Sequence, residues 1–210
     1  MENPRIVAIG ASAGGLDAFR ELIERLPVNT NMAFVILSHI LRGSKSLLSE
    51  ILARSTKMPV IQVTDKSSIQ ANHIYVLPAD KFMEISDGLL HLINRPNEKV
   101  NNSINHFLFS LAKDRDHGSI GIILSGEGSD GAEGIKILKE SGGGTTMAQA
   151  PNSASAKSMP INAINIDHVD YILSPKEIAE QLASISWCDK NILKTPMKVL
   201  WTKNHAAPAV

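Results

Sequence analysis

The chain has 210 residues, and its 21 lysines and arginines balance 21 aspartates and glutamates, so its formal net charge is zero with histidine neutral. That length suits one globular domain with at most a short extension, and the charge balance excludes a global field drawing the protein onto nucleic acid or an anionic membrane. One cysteine, Cys188, excludes an intrachain disulfide framework and fits an incidental thiol in a reducing, cytoplasmic compartment, while the absence of any apolar run near the roughly 20 residues that span a bilayer, or of a signal-type h-region, predicts a soluble protein.

The pattern opens with Arg5–Gly10, a β-branched apolar run that stops at glycine and predicts a buried strand. Residues 14–26 place Leu16, Phe19, Leu22, Ile23 and Leu26 on one helical stripe, ended by Pro27. Met32–Leu37 predicts a second strand, residues 44–55 a second helix through Leu47, Leu48, Ile51 and Leu52, and Pro59–Val63 a short third strand. Residues 73–92 break the alternation with two or three short strands and the hairpin signal Asp87-Gly88, read here as an inserted β-meander. Alternation then resumes. Asn101–Asp114 predicts a helix, Ser119–Leu124 a strand, Gly131–Glu140 a helix followed by three glycines, and Thr145–Gln149 and Asp170–Leu173 strands. Ser174-Pro175 starts a last helix as N-cap and first helical position. Beyond Ser184 the period fades. The reading is an α/β fold with a mostly parallel, doubly wound sheet, helices on both faces, a domain over 1–185 and an extension or linker over 186–210.

Gly10-Ala11-Ser12-Ala13-Gly14-Gly15 lies where the first strand meets the first helix. One reading is a phosphate-binding turn. The dinucleotide fingerprint, however, needs glycine where Ser12 stands, and the acid expected after the second strand is replaced by Ser38-His39. The other reading is a nucleophile elbow, G-x-S-x-G, whose small neighbours expose the serine while the helix N-terminus offers N–H groups to an oxyanion. A third is a serine that only caps the helix. A serine hydroxyl needs a base within hydrogen-bond reach. His39 follows the second strand and Asp130 follows the strand Ser119–Leu124, so all three should reach the same carboxyl edge of the sheet. Asp130 has its own structural reading as a helix N-cap. His73, His91, His106, His117 and His168 are rival bases, with His168 beside Asp167 the strongest.

At these residues the chain resembles the catalytic domain of chemotaxis protein-glutamate methylesterases of the CheB type. The likeness rests on IGASAGGLDAF (9–19), the histidine of LSHI (37–40), ANHIYVLPAD (71–80), IILSGEGSDGAEG (122–134) and TMAQAPNSASAKSMP (146–160). GASAGGL, LSEILA and LSGEGSDG look most like the subgroup fused to a methyltransferase, which makes such a domain in a longer chain an expectation. The resemblance implies a triad of Ser12 as nucleophile, His39 as base and Asp130 as orienting acid, with main-chain N–H groups at Ala13 and Glu127 holding the oxyanion. It implies no metal or cofactor. It implies hydrolysis of glutamate methyl esters on chemoreceptor-like signalling proteins, with deamidation of certain glutamines. Members of the main subgroup carry a receiver domain before the catalytic one; this sequence starts at the first strand, and that control is expected to be absent.

Some positions depart from the family pattern. Ala13 stands for the usual Thr, Glu127 for Met, Ser38 for Gln, Phe82 for a histidine and Ile161 for an arginine. A carboxylate at 127 turned inward would oppose the oxyanion. The alternative functions are therefore a CheB-like binding module whose site has weakened and, more distantly, a nucleotide binder on the same topology.

Overall fold

The computed structural model describes residues 4–39, 43, 46–95, 101–114 and 118–190. In chain order its elements are β1 (Arg5–Ala11), α1 (Gly15–Ile23), β2 (Met32–Ser38), α2 (Leu48–Ala53), β3 (Val60–Gln62), β4 (Ser67–Ser68), β5 (His73–Val76), β6 (Lys81–Ser86), β7 (Leu89–Asn94), α3 (Ser103–Asp114), β8 (Ile120–Ile123), α4 (Ala132–Gly142), β9 (Thr145–Gln149), a 3₁₀ turn (Pro151–Ser153), α5 (Ser158–Asn165), β10 (Tyr171–Leu173) and α6 (Pro175–Lys190). The seven-stranded main sheet has the order β10-β9-β8-β1-β2-β5-β3, and every neighbouring pair is parallel.

β1 shows why the sheet is covered on both sides. Val7 and Ile9 join Phe19 and Leu22 of α1 and Ile178 and Leu182 of α6 in one core. Ile6 and Ala8, of the other parity, join Ile104, Phe107 and Leu108 of α3 and Ile135 of α4 in the second. A strand apolar at both parities has to be buried on both faces, and each fully buried large aliphatic side chain contributes about 1.5–3 kcal/mol.

Three expectations change. The first strand of the expected meander is β5 of the main sheet, paired on both sides by β2 and β3. Its run Ile74-Tyr75-Val76 is buried without alternation, the mark of a strand inside a parallel sheet. The small sheet is instead antiparallel, in the order β4-β7-β6. Its β6–β7 hairpin turns at Asp87 (φ 52°) and Gly88 (φ 74°), with both central residues left-handed as Asp-Gly predicts. The short helix α5 was not expected, because a proline in its first turn and mixed side chains hide its period. Finally, α6 runs to Lys190, past the expected boundary at 185; Ser186 is buried and its hydroxyl donates to the Thr30 carbonyl at 2.6 Å. His117, the side chain of Cys188 and residues 191–210 lie outside the described residues. Among the described residues no helix is long and apolar enough to cross a membrane.

Candidate active site

In an open parallel sheet the loops at the strands' carboxyl ends diverge where the winding reverses direction. Here that point lies between β1 and β8, since β1 leads outward to β2, β5 and β3, and β8 leads the other way to β9 and β10. Ser12 follows β1 directly, His39 follows β2 directly, and the turn 125–131 follows β8. Ala11 and Ser38 are register partners, so Ser12 and His39 leave neighbouring strands at one level, with the strands about 4.8 Å apart. The ladder continues into the site: the His39 N–H donates to the Ala11 carbonyl at 3.3 Å and the Ser12 N–H to the Ser125 carbonyl at 2.9 Å.

His39 Nε2 lies 2.7 Å from Asp130 Oδ2. The side chain of His39 is 18% exposed and that of Asp130 only 4%. A buried ionised carboxylate needs donors on both oxygens, and α3 supplies them. The Ile104 N–H donates to Oδ2 at 3.0 Å and the Asn105 N–H to Oδ1 at 2.9 Å. Asp130 thus occupies the N-terminus of α3, where orphan amides and the helix dipole favour an anion. A carboxylate can only accept, so Nε2 carries the imidazole proton in the neutral ring and Nδ1 is the lone-pair nitrogen.

Two structural readings of these residues fall away. The N-cap of α1 is Gly14 and no side chain caps it, so Ser12 is not a capping serine. Gly131 is the N-cap of α4, likewise without a side-chain cap, so Asp130 serves a helix other than its own. Ser12 is half-buried, and among the described residues its hydroxyl makes no hydrogen bond. The N–H groups of Ala13 and Glu127 also have no partner among the described residues.

The turn after β8 presses on Ser12. A Cβ at Gly126 would stand 3.0 Å from both Ser12 N and Ser12 Cβ, and 2.0 Å from Met159 Sδ, so a side chain there has to displace Met159 and push on Ser12. The backbone of Gly126 is bound on both sides, donating to the Ala156 carbonyl at 3.0 Å and accepting from the Met159 N–H at 2.9 Å. The exposed side chain of Glu127 is tied down: its Oε2 accepts from the Ser158 hydroxyl at 2.7 Å, and that hydroxyl accepts from the Gly128 N–H at 2.9 Å. The carboxylate is therefore engaged at the first turn of α5.

The rival histidines are elsewhere. His73 begins β5 and His168 precedes β10, both at the opposite, amino edge of the sheet. His73 Nδ1 pairs with the Ala71 carbonyl, and His168 pairs with the Ile166 carbonyl and Glu140. His91 is in the small sheet, 3.9 Å from Asp65. His106, in the first turn of α3, packs its ring on Phe82 with centroids 5.2 Å apart and faces Glu84 at 3.5 Å. Among the described residues no group of three His, Cys, Asp or Glu is placed to hold a metal ion.

The CheB methylesterase family model matches residues 7–182. This chain belongs to the CheB methylesterase family. It is 34% identical over 187 residues to the protein-glutamate methylesterase/protein-glutamine glutaminase 1 of Carboxydothermus hydrogenoformans, covering 86% of this chain and 55% of that one. It is 33% identical over 187 residues to a putative protein-glutamate methylesterase/protein-glutamine glutaminase of Leptospira interrogans, covering 85% of this chain and 93% of that one. The Salmonella typhimurium protein-glutamate methylesterase/protein-glutamine glutaminase is 30% identical over 192 residues, covering 89% and 54%. The chain thus spans about half the length of several curated relatives it matches. The solved Thermotoga maritima CheB methylesterase catalytic domain superposes with a TM-score of 0.78 at 26% identity, covering 88% of this chain and 100% of that one.

Within this CheB fold several supporting residues were not singled out from the sequence. The Ser125 N–H donates to Gln149 Oε1 at 2.8 Å, and Gln149 Nε2 donates to the Ser153 carbonyl at 2.9 Å. The Ser125 hydroxyl donates to the Ala13 carbonyl at 2.8 Å and accepts from the Ala156 N–H at 2.9 Å. These bonds stitch the serine turn to the 149–158 segment. Beyond the strand expected over Thr145–Gln149, the stretch 146–160 carried only the family likeness as a signal, and nothing in it indicated which side chains reach back.

Proposed function

We propose that this chain is a serine hydrolase of carboxyl esters that demethylates glutamyl methyl esters on chemoreceptor-like signalling proteins. The observation that carries the reading is the buried Asp130 carboxylate, held by two helix amides and hydrogen-bonded to His39 at the edge where Ser12 leaves β1. The names of the relatives support the substrate. Substrate binding closes the gap between the Ser12 hydroxyl and His39 Nδ1, as catalytic hydrogen bonds often tighten only in the complex.

In the mechanism, Ser12 Oγ attacks the ester carbonyl and His39 Nδ1 takes its proton. Asp130 holds the ring and stabilises the imidazolium through Nε2–H. The amides of Ala13 and Glu127 receive the oxyanion. The C–O bond to methanol breaks as His39 returns the proton to the leaving oxygen, and water repeats the cycle on the acyl-enzyme to free the carboxylate. A glutamine follows the same path with ammonia leaving. The catalytic domain is taken as the expected residues 1–185 carried on to the end of α6 at Lys190, working in the cytoplasm, with the methyltransferase-fused subgroup as the model for any longer chain.

A fluorophosphonate probe and a small neutral ester test this together. Labelling at Ser12 and ester turnover are expected in the wild type, and Ser12→Ala should abolish both while keeping the fold. A wild-type protein that neither labels nor turns over would favour the binding-module alternative and end the hydrolase reading.

A further inference from the structure

We propose that Asn105 is a positioning residue for this site, one half of a reciprocal cap that fixes Asp130. The inference rests on the reading of Asp130 as the group that orients His39. The first four amides of a helix have no partner within it. In α4 the N-cap is Gly131, held at φ 95° and without a side chain to supply the capping oxygen. Asn105 supplies it from another helix: its Oδ1 accepts from the Gly131 N–H at 3.0 Å and the Gly134 N–H at 2.8 Å. In return Asp130, one residue before that cap, accepts from the Ile104 and Asn105 amides at 3.0 and 2.9 Å. Each helix start is thus capped by a side chain from the other's edge. The two caps share residue 105, whose amide binds the carboxylate while its side chain holds the backbone that carries it.

Asp130 is therefore located from both directions. Its carboxylate is gripped by α3, and the peptide after it is gripped by Asn105. Because Gly131 and Gly134 are buried, loss of the Asn105 oxygen leaves two amides without water as a substitute. The backbone at 131 then has to move, and the Asp130–His39 bond moves with it. Asparagine suits the position because its one side-chain oxygen accepts both N–H bonds.

The test compares Asn105→Ala and Asn105→Asp with wild type, Asp130→Asn and Ser12→Ala, using p-nitrophenyl acetate turnover and its pH profile well below each protein's Tm. Asn105→Ala is expected to lower kcat about 10- to 100-fold with KM nearly unchanged. Its ascending pH limb should move to lower pH, because a displaced Asp130 stabilises the imidazolium less. Asn105→Asp keeps the accepting oxygen. It should restore most of kcat and move the limb to higher pH, because an added anion favours the imidazolium. A folded Asn105→Ala with wild-type kcat and pH limb overturns the proposal, as does an Asp variant no more active than the Ala variant. Should Asn105→Ala fail to fold, the activity and limb of the Asp variant decide alone. If Asp130→Asn also leaves turnover intact, the hydrolase reading fails instead.

Discussion

Two histidine–carboxylate pairs lie at opposite edges of the same sheet. At the carboxyl edge His39 meets Asp130 at 2.7 Å; at the amino edge His168 meets Glu140 at 3.1 Å. They differ in what surrounds them. Glu140 is 47% exposed and His168 has both ring nitrogens engaged, one with Glu140 and one with the Ile166 carbonyl. Asp130 is 4% exposed, each of its oxygens accepts a main-chain N–H, and Nδ1 of its partner makes no hydrogen bond among the described residues. A solvated pair contributes about 0–1 kcal/mol and orients little. Burial plus fixed amides holds the same two groups in one geometry, as the proposed role of His39 as base requires.

The largest expected effect separates the two pairs outright. His39→Gln should lower kcat on a neutral ester by about 10³-fold or more, and Asp130→Asn by about 10²–10⁴-fold, since an amide there would set an N–H against the α3 donors. His168→Gln and Glu140→Gln should leave kcat within about twofold, as expected for an exposed pair. Equal losses in both pairs would dissolve the contrast.

A smaller effect sharpens the contrast through glycine. Gly126→Ala drives a methyl against Ser12 N and Met159, so kcat/KM should fall about 10- to 100-fold along with Tm. At the amino edge, Gly143 closes α4 at φ 58° with open space around it. Gly143→Ala should cost about 1–2 kcal/mol of stability from the left-handed backbone, with turnover unchanged. Steady-state kinetics beside thermal melts distinguish the two.

The smallest effect concerns a carboxylate with no role in the site. Glu177 accepts from Ser174 Oγ at 2.6 Å and from the Ser174 N–H at 2.8 Å, a capping box at the start of α6. The Ser174 hydroxyl and amide hold its carboxyl below the usual range. A lowered folded pKa stabilises above the unfolded value and is lost as pH falls through the folded one. Glu177→Ala should therefore cost about 0.5–1 kcal/mol near neutrality and progressively less in acid, read from urea melts at several pH values.

Much of this was legible in the chain itself. β1, β2 and β8 are apolar at both parities and end beside glycine or small polar residues, so local pattern alone set the parallel sheet and put Ser12, His39 and Asp130 at its carboxyl edge. The family motifs lie at those same turns. The pairing of β5 was not legible, because a short apolar run before a hairpin suits either sheet and only its neighbours decide. Nor was the boundary of α6, whose fading period conceals a buried serine bonded to Thr30. That Ser12 and Asp130 do not cap the helices that follow them was also decided by contacts across long stretches of chain, as was the capping by Asn105, a plain helix residue until α4 meets it. Local sequence determines which backbone groups a turn leaves unpaired; which distant side chain satisfies them is decided only when the helices dock.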